Sequence, residues 1–187
     1  MKNIAIFASG KGSNTQAIIE YFKNHSSVKV ALVVTDNPEA GVINVAHSNQ
    51  VISAIVSKKA LGCEDEMNKL LNTLNIEMIV LAGFLQLVPD FLIRKFPKRI
   101  INIHPALLPG YGGKGMYGMK VHEAVLTSKE TESGITIHYT NERYDEGEII
   151  LQKKVSVDAT DTPETLSKKI HQLEYEWYPK AIEKVLL

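Results

Sequence analysis

Short apolar runs alternate with helical patterns along the first half of this chain. The run at 4–8 is continuously apolar, which is typical of a strand buried on both faces of a parallel sheet. At 64–74, apolar residues recur at the three- and four-residue spacing of an amphipathic helix. The predicted strands of this part are 4–8, 28–34, 51–56, 78–82 and 99–103. Strands that alternate with helices predict an α/β fold with a doubly wound, mostly parallel open sheet.

The pattern changes after the fifth predicted strand. The segment 110–118 contains five glycines and is predicted to be a mobile loop. Two further strands, at 134–140 and 148–157, are joined by a turn and are expected to pair antiparallel. Thr162 and Pro163 supply the N-cap and the first-turn proline of a last helix. We therefore expect a single domain with a Rossmann-like, mostly parallel sheet and a C-terminal antiparallel extension.

The charge balance of the chain excludes several classes of partner. There are 21 Lys and Arg residues against 21 Asp and Glu residues. Because non-specific affinity for nucleic acid or anionic membranes comes from clustered basic charge, neither partner is expected. No apolar stretch reaches the roughly 20 residues of a membrane helix, and the N-terminus lacks a signal-peptide pattern. Cys63 is the only cysteine, so no internal disulfide can form and a soluble cytoplasmic protein is expected.

A glycine-rich loop lies between the first predicted strand and a helix. Gly10 and Gly12 let backbone N–H groups turn toward an anion, and the helix N-terminus adds partial positive charge. The spacing differs from that of the NTPase phosphate loop, and a monophosphate site is the preferred interpretation. The two glycines also fit a dinucleotide fingerprint whose third position is Thr15 here, and Asp36 lies where an NAD-binding acid would be. An NAD-dependent dehydrogenase and a plain tight turn therefore stay open as alternatives.

The fifth predicted strand ends in two polar residues that suit acyl transfer. Asn102 and His104 are two positions apart, so they project to one face, and Pro105 ends the strand after them. Open α/β sheets bind ligands at such carboxyl ends. The amide can donate to a developing oxyanion, and the imidazole can donate or move a proton. The alternative is that both side chains only satisfy backbone groups of the loop.

A second polar set lies in the predicted antiparallel pair. His138 shares a face with Thr136 and Thr140, and Asp145 lies in the turn that follows. A carboxylate near an imidazole raises the basicity of the ring and fixes its tautomer. A turn-capping Asp145 and a histidine satisfied within the core are the alternatives. The histidines and acids have no recognised ligand spacing, and no metal is expected.

Four motifs, in this order, resemble those of the phosphoribosylglycinamide formyltransferase family of purine biosynthesis. They are Gly10-Lys11-Gly12-Ser13-Asn14, Leu81-Ala82-Gly83-Phe84, Asn102-Ile103-His104-Pro105-Ala106-Leu107-Leu108-Pro109 and Asp145-Glu146-Gly147. The third motif is similar to that of the whole folate formyltransferase superfamily, which includes methionyl-tRNA formyltransferase and formyltetrahydrofolate hydrolase. The N-terminal loop on a chain of 187 residues narrows the resemblance, which covers essentially the full chain.

The resemblance implies a reaction and a role for each matched residue. The formyl donor would be 10-formyltetrahydrofolate, as a cosubstrate, and the acceptor would be the amine of glycinamide ribonucleotide, without a metal. Asn102 and a protonated His104 would stabilise the oxyanion, and Asp145 would hold His104 in that state. The residues implied for the ribonucleotide are Gly12, Ser13, Asn14 and Glu174. Those implied for the folate are Leu85, Gln86, Leu87, Val88, Asn102, His138, Asn141, Glu142, Arg143, Tyr144 and Asp145.

The resemblance also implies a division of the chain. One formyltransferase domain would cover 1–187, with a phosphate-binding half at 1–100 and a folate-binding and catalytic half at 101–187. Lys58 and Lys59 are the nearest candidates for a basic residue against the folate. The expected partners are thus two small molecules.

Overall fold

The structure is a computed structural model that describes residues 1–187. Its seven strands form one sheet and are β1 (Lys2–Phe7), β2 (Val28–Thr35), β3 (Ile52–Ile55), β4 (Ile76–Leu81), β5 (Ile100–His104), β6 (Glu132–Tyr139) and β7 (Ile149–Ser156). The helices are α1 (Ser13–Phe22), α2 (Val42–Ser48), α3 (Lys58–Leu61), α4 (Glu64–Thr73), α5 (Asp90–Lys95), α6 (Met119–Thr127) and α7 (Pro163–Leu186).

The strand order across the sheet is β3-β2-β1-β4-β5-β6-β7. Strands β1 to β5 run parallel, whereas β6 is antiparallel to β5 and β7 is antiparallel to β6. The chain builds outward from β1 to β3 and then returns to place β4 on the other side of β1. Because open α/β sheets bind ligands where the strand order reverses, the carboxyl ends of β1 and β4 mark the expected crevice. The predicted fold, including its antiparallel extension, is confirmed.

The central strands are buried on both faces, which explains their continuous apolar runs. Ile4 and Ile6 of β1 enter a core of 26 buried residues that also includes residues of α1, α2 and α7. Ala5 and Phe7 enter a second core of 16 buried residues, shared with α4 and α5. Alternate residues of one strand therefore serve two cores on opposite faces of the sheet, as the two-residue period of a strand requires.

The helices agree with the sequence patterns except at α3, which was not predicted. This helix is a single turn of 4 residues, and the Ser57 hydroxyl caps it by accepting from the N–H of Ala60. Four residues are too few to show a helical period. At α7 the predicted start is confirmed, because the Thr162 hydroxyl accepts from the N–H of Thr165 and Pro163 is the first helical residue. None of the helices combines the length and apolarity that a membrane crossing needs.

The long helix α7 is fixed to the middle of the sheet beside the expected crevice. The buried Tyr178 hydroxyl lies 2.8 Å from the carbonyl oxygen of Leu81 and 3.1 Å from that of Ile101. These carbonyls belong to β4 and β5, so one side chain joins the helix to both strands. The segment 110–118, between β5 and α6, forms neither a strand nor a regular helix. Its mobility stays a prediction.

Candidate active site

A cavity of about 640 Å³ opens at the carboxyl ends of β1, β4 and β5. The loop at 10–14, the turn at 82–85 and the segment 113–119 line it, together with side chains of α6 and α7. It therefore lies at the reversal of strand order, where the topology predicts a ligand. The predicted site residues that it brings together are Gly12, Ser13, Asn14, Leu85, Asn102, His104, Tyr144, Asp145 and Glu174.

The glycine loop turns into α1 at Gly12. The φ of Gly12 is +84°, in the left-handed region, and a Cβ there would lie 2.8 Å from the Cα of Val42. Backbone conformation and space both require glycine at this position. The turn leaves Ser13 and Asn14 as the first residues of α1, and no side chain caps that end of the helix. The first N–H groups of α1 are therefore free to bind an anion.

A buried acid ties Asn14 to α7. The Nδ2 atom of Asn14 donates to Oε2 of Glu174 at 2.9 Å, and Nδ1 of His171 lies 2.8 Å from the same oxygen. The hydrogen bond to Glu174 raises the pKa of His171 above its usual value. His171 lines the cavity too, although sequence reasoning missed it. The available signal was its i, i+3 spacing from Glu174 on a helix.

The three predicted catalytic residues meet where β5 and β6 pair. Asn102 and His104 lie opposite His138 and Thr136 of β6 in the antiparallel register. Asp145 follows β6 in a turn, and its Oδ2 lies 3.4 Å from Nδ1 of His104. The side chains of His104 and Asp145 are 4% and 11% exposed. The structure thus gathers these groups in a place that is largely shielded from bulk water.

Burial and a carboxylate act on His104 in opposite directions. Removal from water lowers the pKa of His104 below its usual value, although the charge of Asp145 opposes this effect. The Nε2 atom of His104 lies 2.7 Å from the carbonyl oxygen of Tyr111. A carbonyl can only accept, so Nε2 carries the hydrogen. In the neutral ring Nδ1 then turns a lone pair toward Asp145, and a proton taken up there would form an ion pair.

The Asp145 carboxylate has contacts on both oxygens. Oδ1 accepts from Nδ2 of Asn102 at 3.2 Å, and Oδ2 accepts from the backbone N–H of Gly113 at 3.0 Å. The Nε2 atom of His138 lies 3.5 Å from Oδ1. Burial alone would raise the pKa of Asp145, but His138, His104 and Gly113 together lower it below its usual value. The carboxylate is therefore ionised at neutral pH.

The amide nitrogen of Asn102 is engaged within the protein. In addition to its bond with Asp145, it lies 3.2 Å from Nε2 of His138. The Nδ1 atom of His138 lies 2.9 Å from the carbonyl oxygen of Tyr139, which places the hydrogen of the neutral ring on Nδ1 and leaves Nε2 to accept. Both amide hydrogens of Asn102 thus have acceptors. An oxyanion that binds Asn102 must replace one of them.

The residues predicted for the folate border a second, smaller cavity of about 40 Å³. Asn102, Tyr144 and Asp145 line both cavities, so the two meet at predicted catalytic residues. The predicted residues that line the smaller cavity are Gln86, Leu87, Val88, Asn102, His138, Arg143, Tyr144 and Asp145.

Comparison with known proteins agrees with this geometry. The formyl transferase family, described as "Formyl transferase", matches residues 2–182. The chain belongs to the formyl transferase family. The resemblance that the four sequence motifs indicated is confirmed.

Relatives in this family are similar along nearly the whole chain. The phosphoribosylglycinamide formyltransferase of Bacillus subtilis is 38% identical, over 100% of this chain and 95% of that protein. The chloroplastic phosphoribosylglycinamide formyltransferase of Arabidopsis thaliana is 42% identical over 97% of this chain, which spans only 64% of that relative's length. Among solved structures, glycinamide ribonucleotide transformylase 1 from Geobacillus kaustophilus has a TM-score of 0.89 at 34% identity and covers 100% of both chains.

Asp36, which kept the dehydrogenase alternative open, is engaged inside this formyl transferase fold. Its Oδ1 accepts from the Ser9 hydroxyl at 2.5 Å, and its Oδ2 accepts from Nε2 of Gln86 at 2.8 Å. In NAD-binding folds the corresponding acid binds the ribose hydroxyls. Here both carboxylate oxygens instead tie the end of β1 to the segment after β4. This geometry disfavours the dehydrogenase alternative.

Some residues predicted for the folate lie elsewhere in this member of the family. Leu85 lines only the larger cavity. Asn141 and Glu142 line neither cavity, since Asn141 accepts from the backbone N–H two residues further on and Glu142 is exposed. Lys58 and Lys59 begin α3, are exposed and line neither cavity.

Proposed function

We propose that this chain transfers the formyl group of 10-formyltetrahydrofolate to the amine of glycinamide ribonucleotide, in de novo purine biosynthesis. The observation that carries the proposal is the position of Asn102, His104 and Asp145 where the two cavities meet. A reaction between two bound molecules needs its catalytic groups where the reacting atoms come together. The names of the relatives, phosphoribosylglycinamide formyltransferase and glycinamide ribonucleotide transformylase, support the same reaction.

The ribonucleotide occupies the larger cavity in this proposal. Its phosphate binds at Gly12, Ser13 and Asn14, where the uncapped helix N-terminus offers N–H groups and partial positive charge. Glu174 holds the Asn14 side chain in place. The amine of the glycinamide then lies at the far end of the molecule, beside His104.

The folate enters beside the smaller cavity. Leu87 and Val88 supply apolar contacts, and Arg143 and Tyr144 border the opening with polar groups. As a cosubstrate the folate brings the formyl group, and the proposed reaction uses no metal. The smaller cavity holds only part of such a molecule, so the remainder lies against the protein surface.

The chemistry requires the trio to stabilise charge and move a proton. The amine nitrogen attacks the formyl carbon, which gives a tetrahedral intermediate with its negative charge on oxygen. Asn102 donates an amide N–H to that oxygen in place of its contact with His138. The Nε2–H of His104 donates in place of its bond to the Tyr111 carbonyl.

Collapse of the intermediate then breaks the carbon–nitrogen bond to the folate. The proton lost by the amine passes to the folate nitrogen, through water, and leaves formylated ribonucleotide and tetrahydrofolate. Asp145 assists because its charge favours the protonated form of His104, which the oxyanion needs as a partner.

Binding titrations separate this function from its alternatives. A formyltransferase binds glycinamide ribonucleotide and 10-formyltetrahydrofolate, an NAD-dependent oxidoreductase binds NAD, and a non-catalytic nucleotide-binding module binds the ribonucleotide without turnover. We expect binding of the first two ligands and none of NAD. Tight binding of NAD without binding of the folate would contradict the proposal.

The cellular setting and the division of the chain are parts of the same proposal. We infer a cytoplasmic enzyme whose partners are the two small molecules. The phosphate site is assigned to 1–100 and the folate and catalytic site to 101–187, although Glu174 and Gln86 each border the site of the other half.

A further inference from the structure

A second buried histidine lines the larger cavity and has no part in the mechanism above. His122 lies on α6, is 2% exposed and borders the cavity. Its Nδ1 atom is fully buried and has no hydrogen-bond partner. Buried polar groups in folded proteins nearly always have a partner in the protein or in water. The missing partner points to a molecule that enters the cavity.

The ring of His122 is neutral and offers one donor. Burial is the largest of the effects that lower its pKa below the usual value. A buried N–H without a partner is rarer than a buried acceptor without one, so the hydrogen belongs on Nε2 and the lone pair on Nδ1. Because Nδ1 is shielded from solvent, Nε2 is the nitrogen that can reach a ligand. A neutral oxygen acceptor suits this N–H better than an ion does.

His122 lies between the two ends of the cavity. The charged groups that act on it are Glu174 and His171, on the side of the glycine loop, and His104, on the catalytic side. All four side chains line the cavity. No three histidine, cysteine, aspartate or glutamate side chains are grouped so that they could hold a metal ion. The position of His122 therefore calls for an organic ligand that extends from one end to the other.

We propose that His122 binds the ribonucleotide by donating its Nε2–H to a hydroxyl oxygen of the ribose. The inference rests on the function proposed above. A ribonucleotide with its phosphate at 12–14 and its amine at His104 has its sugar between them, where His122 lies. His122 thus selects for the ribose rather than for either reacting end.

Two substitutions and a matched control test this role. His122→Leu removes the donor from a site of similar size, His122→Gln places an amide N–H near the position of Nε2, and Glu123→Gln alters an exposed neighbour on the same helix. The dissociation constant of glycinamide ribonucleotide is measured by calorimetry, and KM is measured for both substrates. A ribonucleotide analogue without its ribose hydroxyls is titrated in parallel.

We expect His122→Leu to weaken ribonucleotide binding about tenfold, the effect of losing one buried hydrogen bond. The KM of the folate should stay unchanged, His122→Gln should retain most of the affinity, and Glu123→Gln should behave as wild type. The deoxygenated analogue should bind wild type more weakly than the ribonucleotide does, but should bind His122→Leu equally well.

Several results would overturn the inference. Wild-type affinity in His122→Leu, or equal loss for both substrates, would show that the ring does not contact the ribose. If His122→Leu unfolds, a loss of ribose selectivity in folded His122→Gln as complete as expected for leucine would contradict a role for the N–H. If wild type itself neither binds nor formylates the ribonucleotide, the proposed function fails first, and the inference fails with it.

Discussion

The Nδ1 atom of His104 lies 3.4 Å from Oδ2 of Asp145, with both side chains almost fully shielded from solvent. Burial favours the neutral imidazole, whereas the carboxylate favours the imidazolium. Asp145 keeps its own pKa low through its contacts with His138, His104 and Gly113, despite burial. The pair therefore holds a proton site whose occupancy depends on a single negative charge.

Asp145→Asn should lower turnover by an amount that grows with pH. The change preserves shape but removes the charge that raises the pKa of His104. The pKa of His104 then falls further below its usual value, so its protonated fraction declines at a lower pH than in wild type. A profile of kcat/KM against pH measures this shift. Glu146→Gln, which neutralises the exposed adjacent carboxylate, should leave the profile unchanged; a uniform loss at every pH would contradict the role given to Asp145.

Asn102→Ala should lose about a hundredfold to a thousandfold in turnover, as expected for one oxyanion donor. Binding of both substrates should change little, because the amide acts on the intermediate. In the double mutant with His104→Ala, the loss should be far smaller than the product of the two single losses, since groups that act as a unit are not additive. Steady-state kinetics and thermal stability of the three variants test this. Near-normal turnover, or loss that only follows unfolding, would show that the mechanism is wrong.

Gly12→Ala should destabilise the fold, whereas Gly10→Ala should not. A Cβ at Gly12 would collide with Val42 in a left-handed backbone conformation, but a Cβ at Gly10 meets nothing within 4 Å. Overpacking of this kind costs about 1–3 kcal/mol. Urea titration of both variants gives their free energies of unfolding. Equal stability of the two variants would contradict the described turn.

Ser13→Asp should weaken ribonucleotide binding far more than folate binding. The added carboxylate would stand at the N-terminus of α1, where the proposed phosphate would meet like charge. Asn24→Asp adds the same charge beyond the other end of α1, at an exposed position, and should leave both affinities unchanged. Calorimetric titration of each ligand compares the variants. Equal weakening for both ligands by Ser13→Asp would mean that the loop does not bind the phosphate.

The sheet and the catalytic trio were predictable because their signals are local. The run at 4–8 is apolar throughout since β1 is buried on both faces, and the polar pair Asn102 and His104 marks a strand end by interrupting such a pattern. Asp145 could be joined to that pair by the motifs of a family. In each case the residue types themselves report the environment.

Other features depend on contacts between distant segments and left no local signal. The Tyr111 carbonyl that accepts from His104 is a backbone atom, so its residue type says nothing about the contact. Asp36 has the sequence position of an NAD-binding acid, yet Ser9 and Gln86 take up its oxygens only once three segments have packed. His122 was visible as a histidine, but its missing partner appears only when burial is known.

Formyl transfer itself is tested most directly by product analysis with the purified protein, 10-formyltetrahydrofolate and glycinamide ribonucleotide. Formylglycinamide ribonucleotide and tetrahydrofolate should form in equal amounts, at a rate that exhaustive chelation and added zinc leave unchanged. Release of formate at a rate independent of the ribonucleotide would show hydrolysis instead of transfer. Activity that is lost on chelation and restored by zinc would contradict the metal-free mechanism.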